Sequence, residues 1–325
     1  MALRVAMLAA ECEPWAKTGG LADVVDALAR ALSNLGDEIH TPVDVFLPRY
    51  RSVDVPAGAT SRALRVPDPL ARGGASDVRL FDVAANGYRL RLVDHPGAFD
   101  RDGLYGDATG DYPDNAWRFG ILGRATFEAL RTEVPRVDVL HLHDWHAGPA
   151  AILRDVRYRD DEVIGGTGAL LTLHNLAYHG WTPRERLRDL GLSPGDGVVP
   201  AGAVGLDLLR AAVERADLVN TVSPTFAREA LTPAYGMGLD PVLASLGDRF
   251  FGILNGIDPV VWDPGTDPDI AAPYGAADMA GKAACRSDLL GRIGFDPDDP
   301  RTVFGMIGRL DPQKGFDLLA QGAPE

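Results

Sequence analysis

Short apolar runs alternate along the chain with stretches whose apolar residues recur every three to four positions. The first run, "LRVAMLAA", predicts a buried strand. After a polar link, Leu21, Val24, Leu28, Leu32 and Leu35 recur at helical spacing, which predicts a helix from about Leu21 to Leu35 with Gly36 as its C-cap. "VDVFLPRY" reads as a second strand. "VRLFDVAANGYRLRLVDH" holds two β-rich runs around Asn86-Gly87, a hairpin signal. "NAWRFGILGRATFEALR" predicts a helix, "VDVLHLH", "GALLTLH", "ADLVNTV" and "FFGILN" predict strands, and "AREAL" a helix between them. "TVFGMIG", from Thr302 to Gly308, predicts one more strand.

Strands that are apolar throughout and alternate with helices imply an α/β fold, a Rossmann-like doubly wound parallel sheet, here with an antiparallel hairpin insertion. A proline-rich zone, "DPVVWDPGTDPDIAAP", follows at Asp258 to Pro273. The expected organisation is a first domain over 1–257, a linker and connecting helix over 258–300, and over 301–325 the start of a second Rossmann-like unit. That unit is expected to be incomplete, because it needs several βα repeats.

Nearly every expected strand runs into a polar or glycine-rich string: "KTGG", "DWHAG", "NLAYHG", "SPTFARE", "GID" and "RLDPQKG". Ligands of doubly wound sheets bind at the carboxyl ends of the strands, so six such strings together point to a site there. "KTGG" suits an anion: its glycines let backbone approach closely, and the following helix presents free N–H groups. It could equally be a strand–helix turn with a solvated lysine. In "RLDPQKG", Arg309 and Lys314 could converge on a diphosphate or sit in a solvated loop. "HLHDWHAG" and "LHNLAYHG" supply His141, His143, His146, His174 and His179. A metal site is the sharp reading, but no glutamate accompanies them as in zinc hydrolase motifs, so structural or sugar-binding roles are preferred. Trp145 and Tyr178 are either core residues or a wall of a sugar pocket.

Charge narrows the partners. Lys and Arg total 32 against 46 Asp and Glu, a net charge of −14, which repels nucleic acid and anionic membranes. No apolar run approaches a membrane span, and Glu11 and Glu13 follow the first run at once, so it reads as a strand rather than an export signal. Cys12 and Cys285 form no disulfide framework or zinc spacing, which fits a reducing cytoplasm. Three decoys fall away. "GAADMAGKAA" has the wrong spacing for a P-loop, "GGTGAL" lacks the third glycine of the dinucleotide fingerprint, and Asp267 to Asp269 is a turn in the proline-rich zone. The missing fingerprint also weighs against a nicotinamide-dependent oxidoreductase.

The pieces "KTGGLADV", "DYPDNAWRFGIL", "HDWHAG", "HNLAYHG", "TVSPTFARE", "YGMGL", "GILNGID" and "GRLDPQKGFDLL", in this order, resemble the bacterial glycogen synthase and plant starch synthase family. The resemblance covers nearly the whole chain. It implies a retaining hexosyltransferase of the two-domain GT-B fold, moving glucose from ADP-glucose, or UDP-glucose in some relatives, to the non-reducing 4-hydroxyl of an α-1,4-glucan. By that resemblance Lys17 and the backbone of Gly19 and Gly20 meet the diphosphate. His174 holds the donor glucose, with Asn175 and Asp144 shaping the pocket, and Lys17, His174 and Asp144 form the catalytic set. Tyr112, with Trp145 and Tyr178, belongs near donor or acceptor. Asn255 sits by the sugar at the interdomain cleft, and Arg309 and Lys314 clamp the phosphates from the second domain. No metal or other cofactor is implied.

Two departures stand out. The family's glutamate-bearing "E-x-C-G-L"-like segment is not among these residues, and between Trp181 and Asp217 the family's "EFYGQ…FLKAG" wording is missing, with Arg210 roughly where its lysine would be. A non-catalytic glucan- or nucleotide-binding module is the alternative reading.

Overall fold

The computed structural model describes residues 3–35, 43–200 and 202–322. It divides into two units, Met1–Gly256 and Ile257–Glu325. The first unit holds β1 (Val5–Leu8), α1 (Gly20–Ser33), β2 (Asp44–Pro48), β3 (Thr60–Pro67), β4 (Ala75–Ala84), β5 (Arg89–Asp94) and a short α2 (Pro96–Phe99). A small ribbon, β6 (Gly106–Asp107) and β7 (Gly110–Asp111), precedes α3 (Asn115–Arg131), β8 (Val139–His143), α4 (Gly148–Val156) and β9 (Gly168–Leu173). A second ribbon pairs β10 (Trp181–Pro183) with β11 (Gly205–Asp207). Then come α5 (Leu208–Val213), β12 (Leu218–Thr221), α6 (Pro224–Ala230), α7 (Asp240–Ser245) and β13 (Phe250–Gly252).

Among the described residues nine strands form one sheet, in the order β13-β12-β9-β8-β1-β2-β5-β4-β3. From β13 to β5 every neighbouring pair is parallel, and β5, β4 and β3 pair antiparallel at one edge. β1 and β8 are wholly or almost wholly buried, as strands covered on both faces must be. β1 is the pivot. The chain leaves it toward β2 on one side, whereas β8 continues to β9 on the other, so right-handed crossovers carry the following helices to opposite faces. The loops after β1 and β8 therefore diverge and open a crevice at their carboxyl ends.

Several expectations need correcting. The hairpin at Asn86-Gly87 forms, with Gly87 at φ +88°, and its second strand, β5, joins the antiparallel part to the sheet by pairing parallel to β2. The sequence reading missed β3, an edge strand in which only Leu64 and Val66 are buried, too few apolar positions to set a period. The stripe of α1 that faces the core is Leu21, Ala22, Val25 and Ala29, one step round from the leucine series, and the expected cap at Gly36 lies outside the described residues. "FFGILN" forms a strand only over Phe250–Gly252.

The second unit contains α8 (Ala280–Arg292) and α9 (Phe316–Gly322). Thr302 to Gly308 is not a strand. Strand backbone needs a hydrogen-bonded neighbour and its apolar side chains need cover. Neither is present among the described residues of this unit, where Leu290 alone is buried and Phe304 and Ile307 lie open. Asp267 accepts from the amide of Asp269 at 2.9 Å, a turn as expected. Among the described residues no helix is long and apolar enough to cross a membrane.

At the amino ends of the strands a buried ionic cluster closes the first unit. Asp44, fully buried at the head of β2, accepts from Arg4 at 3.1 Å, Arg89 at 2.9 Å and Arg91 at 3.0 Å. Arg91 also reaches Glu133 at 2.5 Å, and Arg62 pairs with the same carboxylate. Burial alone would raise the Glu133 carboxyl, but the hydrogen bonds and charge of Arg91, with Arg62 and Arg4, pull it down to about 2. Removing one member of such a cluster strands the others. Asp44→Ala is expected to cost about 3–5 kcal/mol, read as a lower urea midpoint at unchanged slope; a midpoint within error of the parent would show that the arginines find other partners.

Candidate functional site

The site is assembled from the loops that follow β1, β8 and β9, three neighbouring strands whose carboxyl ends share one edge of the sheet. The β8 loop supplies Asp144, whose backbone sits at φ +54°, ψ −170°, a region costly for a residue with a side chain. What holds it there is visible. Its N–H donates to the Thr172 carbonyl at 3.0 Å, and its Oδ1 accepts from the backbone N–H of His174 at 2.7 Å and of Asn175 at 3.4 Å. The carboxylate thereby sews the β8 loop to the β9 loop. Burial, only partly offset by those amides, pushes the Asp144 carboxyl up to about 7.

Histidines form the floor beneath it. His141 bonds Thr172 at 2.7 Å, and Thr172 donates to Asn220 at 2.7 Å on β12. His141 and His143 share a strand face with ring centroids 4.2 Å apart, and His143 Nδ1 meets His174 Nε2 at 3.0 Å. His146 instead stacks on Tyr105, 4.5 Å between centroids. Burial pushes His141 and His146 down to about 3, His174 to about 4, and His143 well below its usual value, so all four are neutral imidazoles at pH 7. His143 Nε2 and His146 Nδ1 have no partner among the described residues. No group of three His, Cys, Asp or Glu among the described residues is arranged to hold a metal ion.

The β1 loop carries Lys17, Gly19 and Gly20 to the same edge. Gly19 has an extended backbone that any residue adopts, and a Cβ on Gly19 or Gly20 would touch nothing in the protein. Their lack of a side chain leaves open space toward solvent, which suits close approach of a ligand to backbone. In this state the loop is held from within. Glu11, buried, accepts from the amides of Thr18 at 2.6 Å and Gly19 at 3.0 Å, from the Thr18 hydroxyl at 2.7 Å and from the Tyr105 hydroxyl at 2.5 Å. Lys17, 45% exposed, pairs with Asp23 at 2.6 Å and Glu13 at 3.2 Å, which hold its ammonium above its usual range. Glu11 and Tyr105 were missed by the sequence reading. The signal available was a lone carboxylate three residues past the central strand.

The remaining residues fall into separate places. Trp145 is buried against Phe119, with ring centroids 5.3 Å apart, and Gly180, at φ +66°, lies so close that a Cβ there would collide with the indole. It is a buried support for the β9 loop, the core role being one of the two the sequence leaves open. Tyr112 is held between the Arg101 and Arg118 guanidiniums, 4.9 and 4.8 Å from its ring, and it is Tyr105 that reaches Glu11. Tyr178 is exposed on the β9 loop, and Asn255 is exposed near the end of the first unit. Arg309 and Lys314 belong to the second unit, both exposed, with Lys314 closing a tight turn after Asp311. A cavity of about 470 Å³ at the opposite edge of the sheet is lined by Arg4, Arg62, Arg89 and Arg91 together with Asp82 and Glu133.

Comparison with known proteins finds similarity along nearly the whole chain. The family model described as "Starch synthase catalytic domain" matches residues 4–245. Over 98% of its length the chain is 36% identical to a glycogen synthase of Syntrophotalea carbinolica, of which it covers 66%. It is 39% identical to a glycogen synthase of Anaeromyxobacter dehalogenans over 99% of this chain and 66% of that one. The catalytic domain of starch synthase IV from Arabidopsis thaliana, solved bound to ADP and acarbose, is similar with a TM-score of 0.86 and 31% identity, over 99% of this chain and 65% of that one. The chain thus spans slightly under two thirds of the length of these relatives.

The four neutral histidines set a pH dependence. Each has a folded pKa below its unfolded value of about 6.5, so the unfolded chain takes up four protons that the folded one refuses. Their stabilising contribution is full above about 6.5 and is lost as pH falls toward 4 and 3. Asp144 acts oppositely, since its raised folded pKa favours the fold as pH falls from about 7 toward 4. His179, raised by the Asp207 carboxylate, also favours the fold as pH falls; four against two, the urea midpoint is expected to drop between pH 7 and 4.5. In Asp144→Asn, which keeps the oxygen facing His174, the drop is expected to be steeper. A flat profile in both proteins would contradict the buried neutral histidines.

Proposed function

Since this chain belongs to the starch synthase catalytic domain family, we propose that it forms part of a glycogen or starch synthase: a retaining hexosyltransferase that moves glucose from ADP-glucose to the non-reducing 4-hydroxyl of an α-1,4-glucan. The observation that carries this reading is the Asp144–His174–Asn175 junction, set beside the Lys17–Gly20 loop at the switch point of the sheet. The adenine nucleotide and the oligosaccharide named with the Arabidopsis relative support the donor and acceptor classes.

The chemistry asks for two things. A glucosyl group leaving a diphosphate develops negative charge on the phosphate and positive charge on the sugar ring. Fixed cations and backbone donors aimed at the phosphate favour that change. Lys17 and the amides of the Gly19 region are the groups of the first unit suited to it, and Arg309 and Lys314 are the corresponding cations of the second. For a phosphate to take the Gly19 amide, Glu11 must release it, and Lys17 must trade Asp23 or Glu13 for the ligand. A neutral His174 hydrogen-bonds sugar hydroxyls without adding a charge beside a cationic ring. Same-face attack, with the leaving phosphate accepting the acceptor's proton, needs no carboxylate nucleophile and hence none of the paired carboxylates of retaining glycosidases. In this reading no cofactor is required.

Transfer of label from ADP-[14C]glucose to glycogen by the whole protein tests the proposal, with UDP-[14C]glucose as the competing donor. No transfer from either would refute it. Maltooligosaccharide binding without transfer would favour a binding module instead. Within the active protein, Lys17→Ala is expected to lower turnover about a hundredfold or more while glycan affinity holds; equal losses in both would assign Lys17 a folding role.

A further inference from the structure

The β9 loop does not end at the pocket. It runs over the Trp145 indole at Gly180 and passes at once into β10, whose first residue is Trp181. This second indole lies over Gly205 of β11, where an added Cβ would stand 2.7 Å from Cζ2. Yet Trp181 is 56% exposed, and Tyr178, three residues earlier, is 45% exposed. The frame beneath them is fixed. His179 bonds Asp207 of β11 at 2.5 Å through Nδ1 and the Leu176 carbonyl at 2.9 Å through Nε2, and its own carbonyl accepts from Leu209 at 3.0 Å. Two acceptors, one at each ring nitrogen, call for a doubly protonated imidazole, a charged clamp between loop and ribbon.

Folding alone does not account for an indole that borders a glycine and is left open to water. An aromatic face at the end of the loop that carries His174 and Asn175 has an evident use. A pyranose presents apolar C–H groups on its ring faces and hydroxyls around its rim, and a flat indole takes the face at small entropic cost, having two side-chain torsions. We propose that Trp181 is a stacking platform for a glucose ring of an α-1,4-glucan, one step outside the pocket of Asp144, His174 and Asn175, with Tyr178 bordering the path between them. The platform rests on the glucan reading above. It adds a binding subsite and a residue, Trp181, that helps set how tightly longer glucans are held.

The test is calorimetric titration of the 325-residue chain with maltoheptaose, alongside urea unfolding of each variant. Trp181→Ala is expected to weaken binding roughly three- to tenfold, Trp181→Phe to retain most of it, and both to unfold at the parent midpoint. Maltoheptaose is also expected to shield tryptophan emission from acrylamide in the parent and much less in Trp181→Phe. If the parent binds and Trp181→Ala binds equally well, the platform is wrong and the glucan reading stands. If the parent binds no maltoheptaose, the glucan reading of this unit falls and the platform with it.

Discussion

The Asp144 carboxylate accepting the His174 amide at 2.7 Å is the bond on which the rest of the site depends. It joins the carboxyl ends of two adjacent parallel strands, and it compensates a backbone conformation at φ +54° that the residue would otherwise abandon. His174, Asn175, the Gly180 contact on Trp145 and the start of the β10–β11 ribbon follow in chain order from that junction. A carboxylate is suited to the position because two amides converge on it, and burial there leaves it on the edge between charged and neutral near pH 7.

Glu11 does for the β1 loop what Asp144 does for the other two. It gathers two amides and two hydroxyls and so keeps the loop in a shape ready for an anion while occupying a donor the anion would use. Lys17 is likewise paired with carboxylates. The amides and the lysine of the β1 loop are thus met by the chain's own carboxylates. Under the proposed function, binding is an exchange of partners, and until then the amides of Thr18 and Gly19 are not left unmet.

Charge is segregated along the strands. At their amino ends Asp44 and Glu133 bind four arginines, whereas at their carboxyl ends lie buried carboxylates, neutral imidazoles and one exposed lysine. Arginine suits the first role, since its fork can reach two carboxylates at once, as Arg91 does with Asp44 and Glu133.

Apolar runs and helical spacing along the chain were enough to locate α1, α3, β1, β2, β8, β9 and β12, because strands buried on both faces and amphipathic helices impose their periods on local sequence. The same runs placed Lys17, Asp144 and His174 at strand ends, and the motif order pointed to the family. Sequence by itself could not place Arg91 between Asp44 and Glu133 or Trp181 on Gly205, because each pairing joins residues far apart in the chain, nor Glu11 under Gly19, a loop contact that leaves no period to read. Nor could it foresee that "TVFGMIG", strand-like by composition, would stay irregular among the described residues. A strand is a property of paired backbones, and only tertiary structure decides whether the partner is there.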